Sequence, residues 1–521
     1  MPLCPGPKRN PRNGAFVVAL TLAIVVLLSA TVPCLALLPP CIGQVAWLPD
    51  GDLTPIVDVA TMISDPRKLA ISNCSFSHVN IKIVADPDQP SNDPLIIDFS
   101  GVEYSHGSIF IVATEDPNRV MPISNIRINV EDSIFAGTGD VFSVLESNDG
   151  IENVTITDTN VSVSFSGGTS NNRVNSSAVT ISNSTIFSNR RVASVIAREI
   201  HDVQLTCGSN SDITLEGSDV KPGVGAFSFF STDTTVDPLL STRHVSIRNS
   251  RATVDGNNIA IRASGSPTAS IIGVASYLQT PVVVEAHGLH LTVKGDSIIL
   301  VAAGRNSVVV GGVAISSGQH ANSIHIVDST FGAFGNDLHI TALPGLVSAS
   351  QCYAVFGTAQ FSTHHALSTF ARGLSISVFG DNILLAAEAP IYSASVMGFS
   401  AWSSGLLNSV AKVTVDLAHT RIEQSGTRIS SSSTSAHFLS TAMGIAAGCE
   451  ACLSTSLDDF SVNITVRDTL SSVTGSDISL CTETNVGTSL LGITSFQSPN
   501  SVATLLLQHH NSAMIVSGEN I

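Results

Sequence analysis

Few residues in this 521-residue chain are spaced for chemistry. Two carboxylate pairs, Asp86 with Asp88 and Asp458 with Asp459, are the candidates for the acid/base work of a glycoside-cleaving site, which needs carboxylates converging on one face. Adjacent strand residues point to opposite faces, so Asp458-Asp459 is poorly placed as a pair outside a bend. The histidine pairs His364-His365 and His509-His510 invite a metal reading, but neighbouring residues rarely face one ion and no acidic cluster flanks them; they read as solvated histidines. Cys449-Glu-Ala-Cys452 has the spacing of a zinc or redox site. A zinc site wants a second such pair or a His pair at ligand spacing, and none is near. The simpler expectation is a local disulfide between Cys449 and Cys452, or one of them with Cys481. Nucleophile elbows, phosphate loops, zinc-protease helices and calcium nonapeptides are all missing from the sequence. No catalytic residue, metal ligand or cofactor is therefore assigned.

The elements that carry these residues start from composition. Hydrophobic residues make up 43% and charged ones 12%, which is the bias of a folded chain. Aromatics are only 5%, so Val, Ile, Leu and Ala must build the core. The formal charge of −17 argues against nucleic acid as a partner, since a phosphate-binding surface needs a basic excess. Lys8, Arg9 and Arg12 precede an apolar run from Ala15 to Val32 and a small-residue exit at Ala36. That order is a secretory signal over residues 1–36, with a retained signal anchor as the rival and the source of any membrane association. The chain is thus expected in the secretory pathway, at the cell surface or outside the cell. No lipid-anchor tail is visible at its end. Asn73, Asn153, Asn160, Asn175, Asn183 and Asn463 stand in N-x-S/T sequons and are the glycosylation candidates. Seven cysteines remain once Cys4 and Cys34 leave with the signal, an odd number, so at least one is free.

Beyond the signal the chain repeats. Strict alternation, such as Ile126, Ile128 and Val130, leads into Asn or Asp followed by Ser or Thr. Copies include Val179-Thr-Ile-Ser-Asn-Ser-Thr-Ile186, Ile247-Arg-Asn-Ser250, Ile326-Val-Asp-Ser329 and Val466-Arg-Asp-Thr469, with Gly-centred variants at Gly295 and Gly380. Period-two alternation marks strands with one buried face. Asn, Asp and Gly tolerate the left-handed backbone a tight bend needs. In the Asn183 unit, Val179 and Ile181 should point inward, Asn183-Ser184 should bend, and Ile186 should resume the core. Between these units lie small-residue segments centred on Gly225, Gly273, Gly312, Gly357, Gly398, Gly444 and Gly492, at intervals of 48, 39, 45, 41, 46 and 48 residues. Earlier units, opening at Ile126, Val154 and Val179, are 28 and 25 residues apart.

Both spacings suit an all-β, right-handed parallel β-helix solenoid with rungs of about 20–25 residues. The first half then carries one unit per rung and the second half one unit per two rungs. Bends stacked on one edge would form a ladder of Asn/Asp and Ser/Thr. The alternative is a seven-bladed β-propeller, for which the blade signatures and aromatic content are lacking. Residues 37–121 are less regular and suit a capping region; residues 122–521 hold the repeats. The far end, after a degenerate unit at His510-Asn511, suits a fragment of a longer array or a stack on a partner.

Units such as "VTISNSTIF", "IHIVDSTF" and "VNITVRDT", alternating with "SIIGVAS" and "SVMGFSAWS", resemble kinetoplastid surface β-helix-repeat proteins of the dispersed-gene-family, membrane-associated type. The resemblance covers most of the chain through rhythm and composition. It implies a cell-surface protein with an adhesive role, in a family whose members are longer and carry a C-terminal membrane segment that is not seen here. The functional expectation is a secreted or surface-displayed glycosylated repeat protein with a structural, adhesive or ligand-binding role, its partners glycans or surface proteins. The alternative is a polysaccharide lyase or hydrolase on the same scaffold, recognisable by three or more charged side chains from neighbouring rungs meeting in one groove.

Overall fold

The computed structural model describes, between residues 56 and 520, the strands and the tight corners that join them; residues 1–55, Ile521 and most of the longer connections lie outside the described residues. Every described element is a strand, and the strands pair in parallel, each with its counterpart one turn further along the chain. This is a parallel β-helix. A propeller blade would need antiparallel neighbours, so that alternative falls.

One turn has four walls. In the turn beginning at Thr268, wall A is Thr268–Leu278 and wall B is Val282–His287. A corner at Gly288 follows, and then the strand His290–Gly304 supplies wall C up to Gly295 and wall D beyond it. Wall A alone stacks 13 strands. At about 4.8 Å per rung, the stack is roughly 58 Å long. Walls B, C and D join into one sheet because Ile151–Thr157 pairs with strands of both B and C, and strands such as His290–Gly304 run from C into D.

The register corrects the expected rung length. Gly273 pairs with Gly312, Gly312 with Gly357, Gly357 with Gly398, Gly398 with Gly444, and Gly444 with Gly492. Each long interval is therefore one rung, not two, and the Gly-centred segment is wall A of the same turn that holds the Asn/Asp unit. Gly225 is out of step, because it pairs with Ser270 while Ser228 pairs with Gly273. The change of period is a taper. From Phe142–Val144 onward, wall-A strands grow through Val163–Ser166, Arg191–Ile196 and Val224–Ser231 to the 11 residues of Thr268–Leu278 and every later copy. The pairing starts well before residue 122. Lys68–Ser72 pairs with Leu95–Ser100, which pairs with Ile123–Glu131, so the described strands before residue 122 contribute rungs of their own.

Two corners, rather than one, carry the Asn/Asp units. At the B–C corner, Asp202, Asn249, Gly288, Asp328, Gly373, His419 and Asp468 occupy one stacked position. The non-glycine members have φ between 48° and 53°. The amide of each donates to the carbonyl of the next rung, for example Asn249 to His287 at 2.9 Å and Asp328 to Arg372 at 2.9 Å. The C–D corner holds Asn183, Asn210 and Asn258, and later the kinks at Gly295, Gly335 and Gly380. Asn183 has φ 50° and is exposed, while Val179, Ile181 and Ile186 are buried, as the alternation predicted. The Ser/Thr after the bend is not on the outer ladder. Ser184, Ser250 and Ser329 are buried, and each hydroxyl bonds the carbonyl two residues back, at 2.7, 2.8 and 2.9 Å. Ser250 and Ser329 also accept the amides of Val203 and Leu289 on the preceding rung, which satisfies donors that water cannot reach.

Wall A lacks alternation for a structural reason. Its strand folds sharply at the central glycine, so that Ser393 and Ser400, seven residues apart, meet Oγ to Oγ at 2.6 Å. Alternate side chains enter the main core, with the parity reversing at the glycine, as in Val396 before Gly398 and Phe399 after it. Side chains on the opposite face, including Val309, Cys352, Ala354, Phe361 and Trp402, form a second apolar cluster. Every residue of Cys352–Ser362 and Ser393–Ser403 is buried, so both parities must be small or apolar.

Candidate functional site

Wall B is a flat run of strands whose inward residues are apolar and whose outward residues present one column per alternate position. Register places Glu199, Ser246, Glu285, His325, Phe370 and Asp416 in one column. The column beside it, immediately before the corner, begins His201, Arg248, His287. It continues Val327, Arg372, Ala418, Arg467 and His510, with no acidic residue among the column's own members. Arg248, His287, Arg372, Arg467 and His510 are exposed. In a chain of formal charge −17, this is a basic stripe along the solenoid axis.

At the early rungs the stripe borders a groove of about 470 Å³ that also touches Asn175. Arg198, Glu199, His201, His244, Arg248 and Glu285 converge there from three neighbouring rungs. The volume is that of an ordinary small-ligand site. His244 Nε2 lies 3.1 Å from Glu285 Oε1, and His201 Nδ1 lies 2.8 Å from Asp202 Oδ2. The hydrogen bond from His244 holds the Glu285 carboxyl below the usual glutamate range, helped by the nearby His325 and His287 against a smaller opposing effect of burial. Glu285 is therefore ionised near neutrality: an acceptor for hydroxyl or cationic groups, not a proton donor. Arg248 donates its Nε to Ser246 Oγ at 3.3 Å, leaving its guanidinium end aimed along the exposed face. Further along, Arg467 closes on both oxygens of Asp416 at 2.9 Å. Phe370, 36% exposed, stacks with His325 at a ring distance of 4.8 Å.

Most of the residues singled out from sequence fall elsewhere. Asp86, Asp88, Asp458, Asp459, His364, His365, Cys452, Asn73 and Asn160 lie outside the described residues. Cys449 ends the strand Leu439–Cys449 and Asn153 lies in Ile151–Thr157; only their backbones are described. Cys481 is an exposed free thiol, so the alternative pairing with it is not formed. His509 and His510 are both exposed on the last wall-B strand. Among the described residues no group of three or more His, Cys, Asp or Glu is arranged to hold a metal. Of the described sequons, Asn183 sits at a corner, Asn463 faces outward on wall B, and Asn175 borders the groove. The groove residues carry no sequence motif because they come in three small groups, 198–201, 244–248 and 285, set about 40 residues apart. The signal that could have found them is the position just before the bend, occupied by His201, Arg248, His287, Arg372, Arg467 and His510.

Comparison with protein-family models, with curated proteins and with solved structures returns no match.

Proposed function

We propose that this chain is a secreted or surface-displayed, glycosylated β-helix that uses wall B as a ligand-binding or adhesive face. The observation that supports this best is the groove over the early wall-B strands, where six charged or titratable side chains from three rungs converge on an otherwise regular stack. A solenoid suits the task, since each rung repeats the same outward positions and so spreads weak contacts over an extended surface. The basic n-region and apolar run before Ala36, together with six sequons, supply the route and the coat. Expression in secretory-competent cells, followed by fractionation, surface labelling and glycosidase digestion, tests this. The reading predicts chain in the medium or on the surface and a mass that falls on digestion. An unglycosylated cytosolic chain would overturn it.

The same groove supports a second reading, an enzyme acting on polysaccharide, because it meets the geometric criterion of three or more charged side chains in one groove. His244 oriented by Glu285 has the arrangement of a base, with arginines nearby to neutralise a substrate acid group. Turnover of a polyuronide, lost in His244→Gln, would establish it; binding without turnover favours the first reading.

A further inference from the structure

We propose that wall B binds an extended anionic polysaccharide laid along the solenoid axis, with its acid groups on the basic stripe and its ring hydroxyls on the neighbouring column. This rests on the reading of wall B as a ligand-binding face and names the ligand class. His201, Arg248 and His287 are direct cross-strand neighbours, one rung apart. Arg248, Arg372 and Arg467 recur along the column with no carboxylate in it, so an anion laid along it meets a guanidinium every two or three rungs. Charges elsewhere are compensated, and within the stripe Arg467 is held by Asp416 of the neighbouring column at 2.9 Å, a pair that an acid group of the ligand would open. Arg262 reaches Asp212 at 3.4 Å, and Asp296 is met on the next rung by Asn336, which donates to it at 3.0 Å.

The neighbouring column decides which polyanion fits. Glu199 and Glu285 would repel an acidic peptide, but a carboxylate accepts sugar hydroxyls well, and so do Ser246, Ser323 and Ser368 on the same wall. Phe370 offers an exposed aromatic face beside Arg372, suited to the C–H face of a sugar ring with its acid group on the guanidinium. Arg248 and Arg372 are three rungs apart, about 14 Å, and Arg372 and Arg467 two rungs, about 10 Å, distances a linear glycan covers with two or three residues. Asn175 borders the groove at the early end, so a glycan on that sequon would stand at the entrance.

The test uses the purified chain titrated by calorimetry with heparin as the sulfated probe, polygalacturonate as the carboxylated one, uncharged dextran and polyglutamate. Binding of either acidic glycan, with dextran silent, supports the proposal, and the tighter of the two names the anionic group. Raising salt from about 50 to 200 mM should weaken it about tenfold or more, as expected for three neutralised charges. Arg248→Ala and Arg372→Ala should each weaken binding about tenfold, and adding Arg467→Ala should abolish it. Arg262→Ala, the same charge change on wall D, should leave it unaltered. These side chains are exposed, so unchanged thermal melting separates lost binding from lost folding. Absence of binding at 50 mM salt, equal binding of polyglutamate, or an equal loss in Arg262→Ala would overturn the proposal. Such a failure alongside surface display in cells would leave the broader reading standing.

Discussion

Alanine at Gly357 tests the stacking directly. Gly357 has φ 134°, a conformation side-chain-bearing residues rarely adopt, and a Cβ built there lies 1.7 Å from the carbonyl oxygen of Gly398 on the next rung. Ordinary contact begins near 3.4 Å, so the two rungs must part locally by about 1.7 Å. A backbone hydrogen bond of about 2.9 Å stretched by that much is broken. Losing two such bonds in a buried wall costs about 1–3 kcal/mol each, and the backbone strain adds about 1–3 kcal/mol, for a total of about 5 kcal/mol. Gly288→Ala is the internal control. Its φ of 63° is left-handed, and the nearest atom to the new Cβ is a side-chain oxygen of Asn249 at 3.1 Å, which can move. That change should cost about 1 kcal/mol. Urea denaturation followed by circular dichroism reads both. Equal losses in the two variants, or a Gly357→Ala loss below about 1 kcal/mol, would refute the stacking of wall-A glycines.

Three further outcomes follow from the same geometry. Asn183→Ala should lower thermal stability more than Asn175→Ala even without glycans, because Asn183 holds a left-handed corner and accepts from Asn210 at 3.1 Å, whereas Asn175 sits in an ordinary strand; equal melting temperatures would contradict this. Burial pushes the thiols of Cys207 and Cys352 up to about 12, so site-resolved maleimide labelling of the native chain at pH 8 should modify exposed Cys481 and spare both until unfolding. His244→Gln should raise the Glu285 pKa toward the ordinary glutamate value of about 4.3, measured by NMR titration. Because the folded-state value is depressed in the parent chain, the stabilisation from this pair is present above the ordinary glutamate range and lost as pH falls through the folded value; an unmoved Glu285 titration in the variant would remove His244 as its cause.

Wall B and the corners were legible because each obeys a local rule. Alternation such as Ile324 and Ile326 fixes the buried parity, and only a few residue types accept the backbone of Asp328 or Asn249. Wall A does not announce its rung in the sequence, because its doubly buried, glycine-folded strand carries no alternation to read. Its partner, the second cluster around Cys352 and Trp402, left no periodic trace either. The groove and the basic stripe were hidden for another reason. Arg248 and His287 stand one rung apart in space, but connections of unequal length keep their sequence interval from recurring, so only the register brings the column together. The Ser after each bend showed in the pattern, but its inward direction follows from the corner geometry.

The central claim is that one long repeat makes one rung, since the groove and the stripe exist only in that register. Arg372→Cys with Ala418→Cys tests it, because these positions are direct neighbours on wall B. In the one-rung register their Cα atoms lie about 4.8 Å apart, within disulfide range. Mild oxidation followed by peptide mapping should therefore give a 372–418 crosslink in high yield. If each repeat filled two rungs, the sites would lie about 10 Å apart and no such crosslink would form in the folded chain.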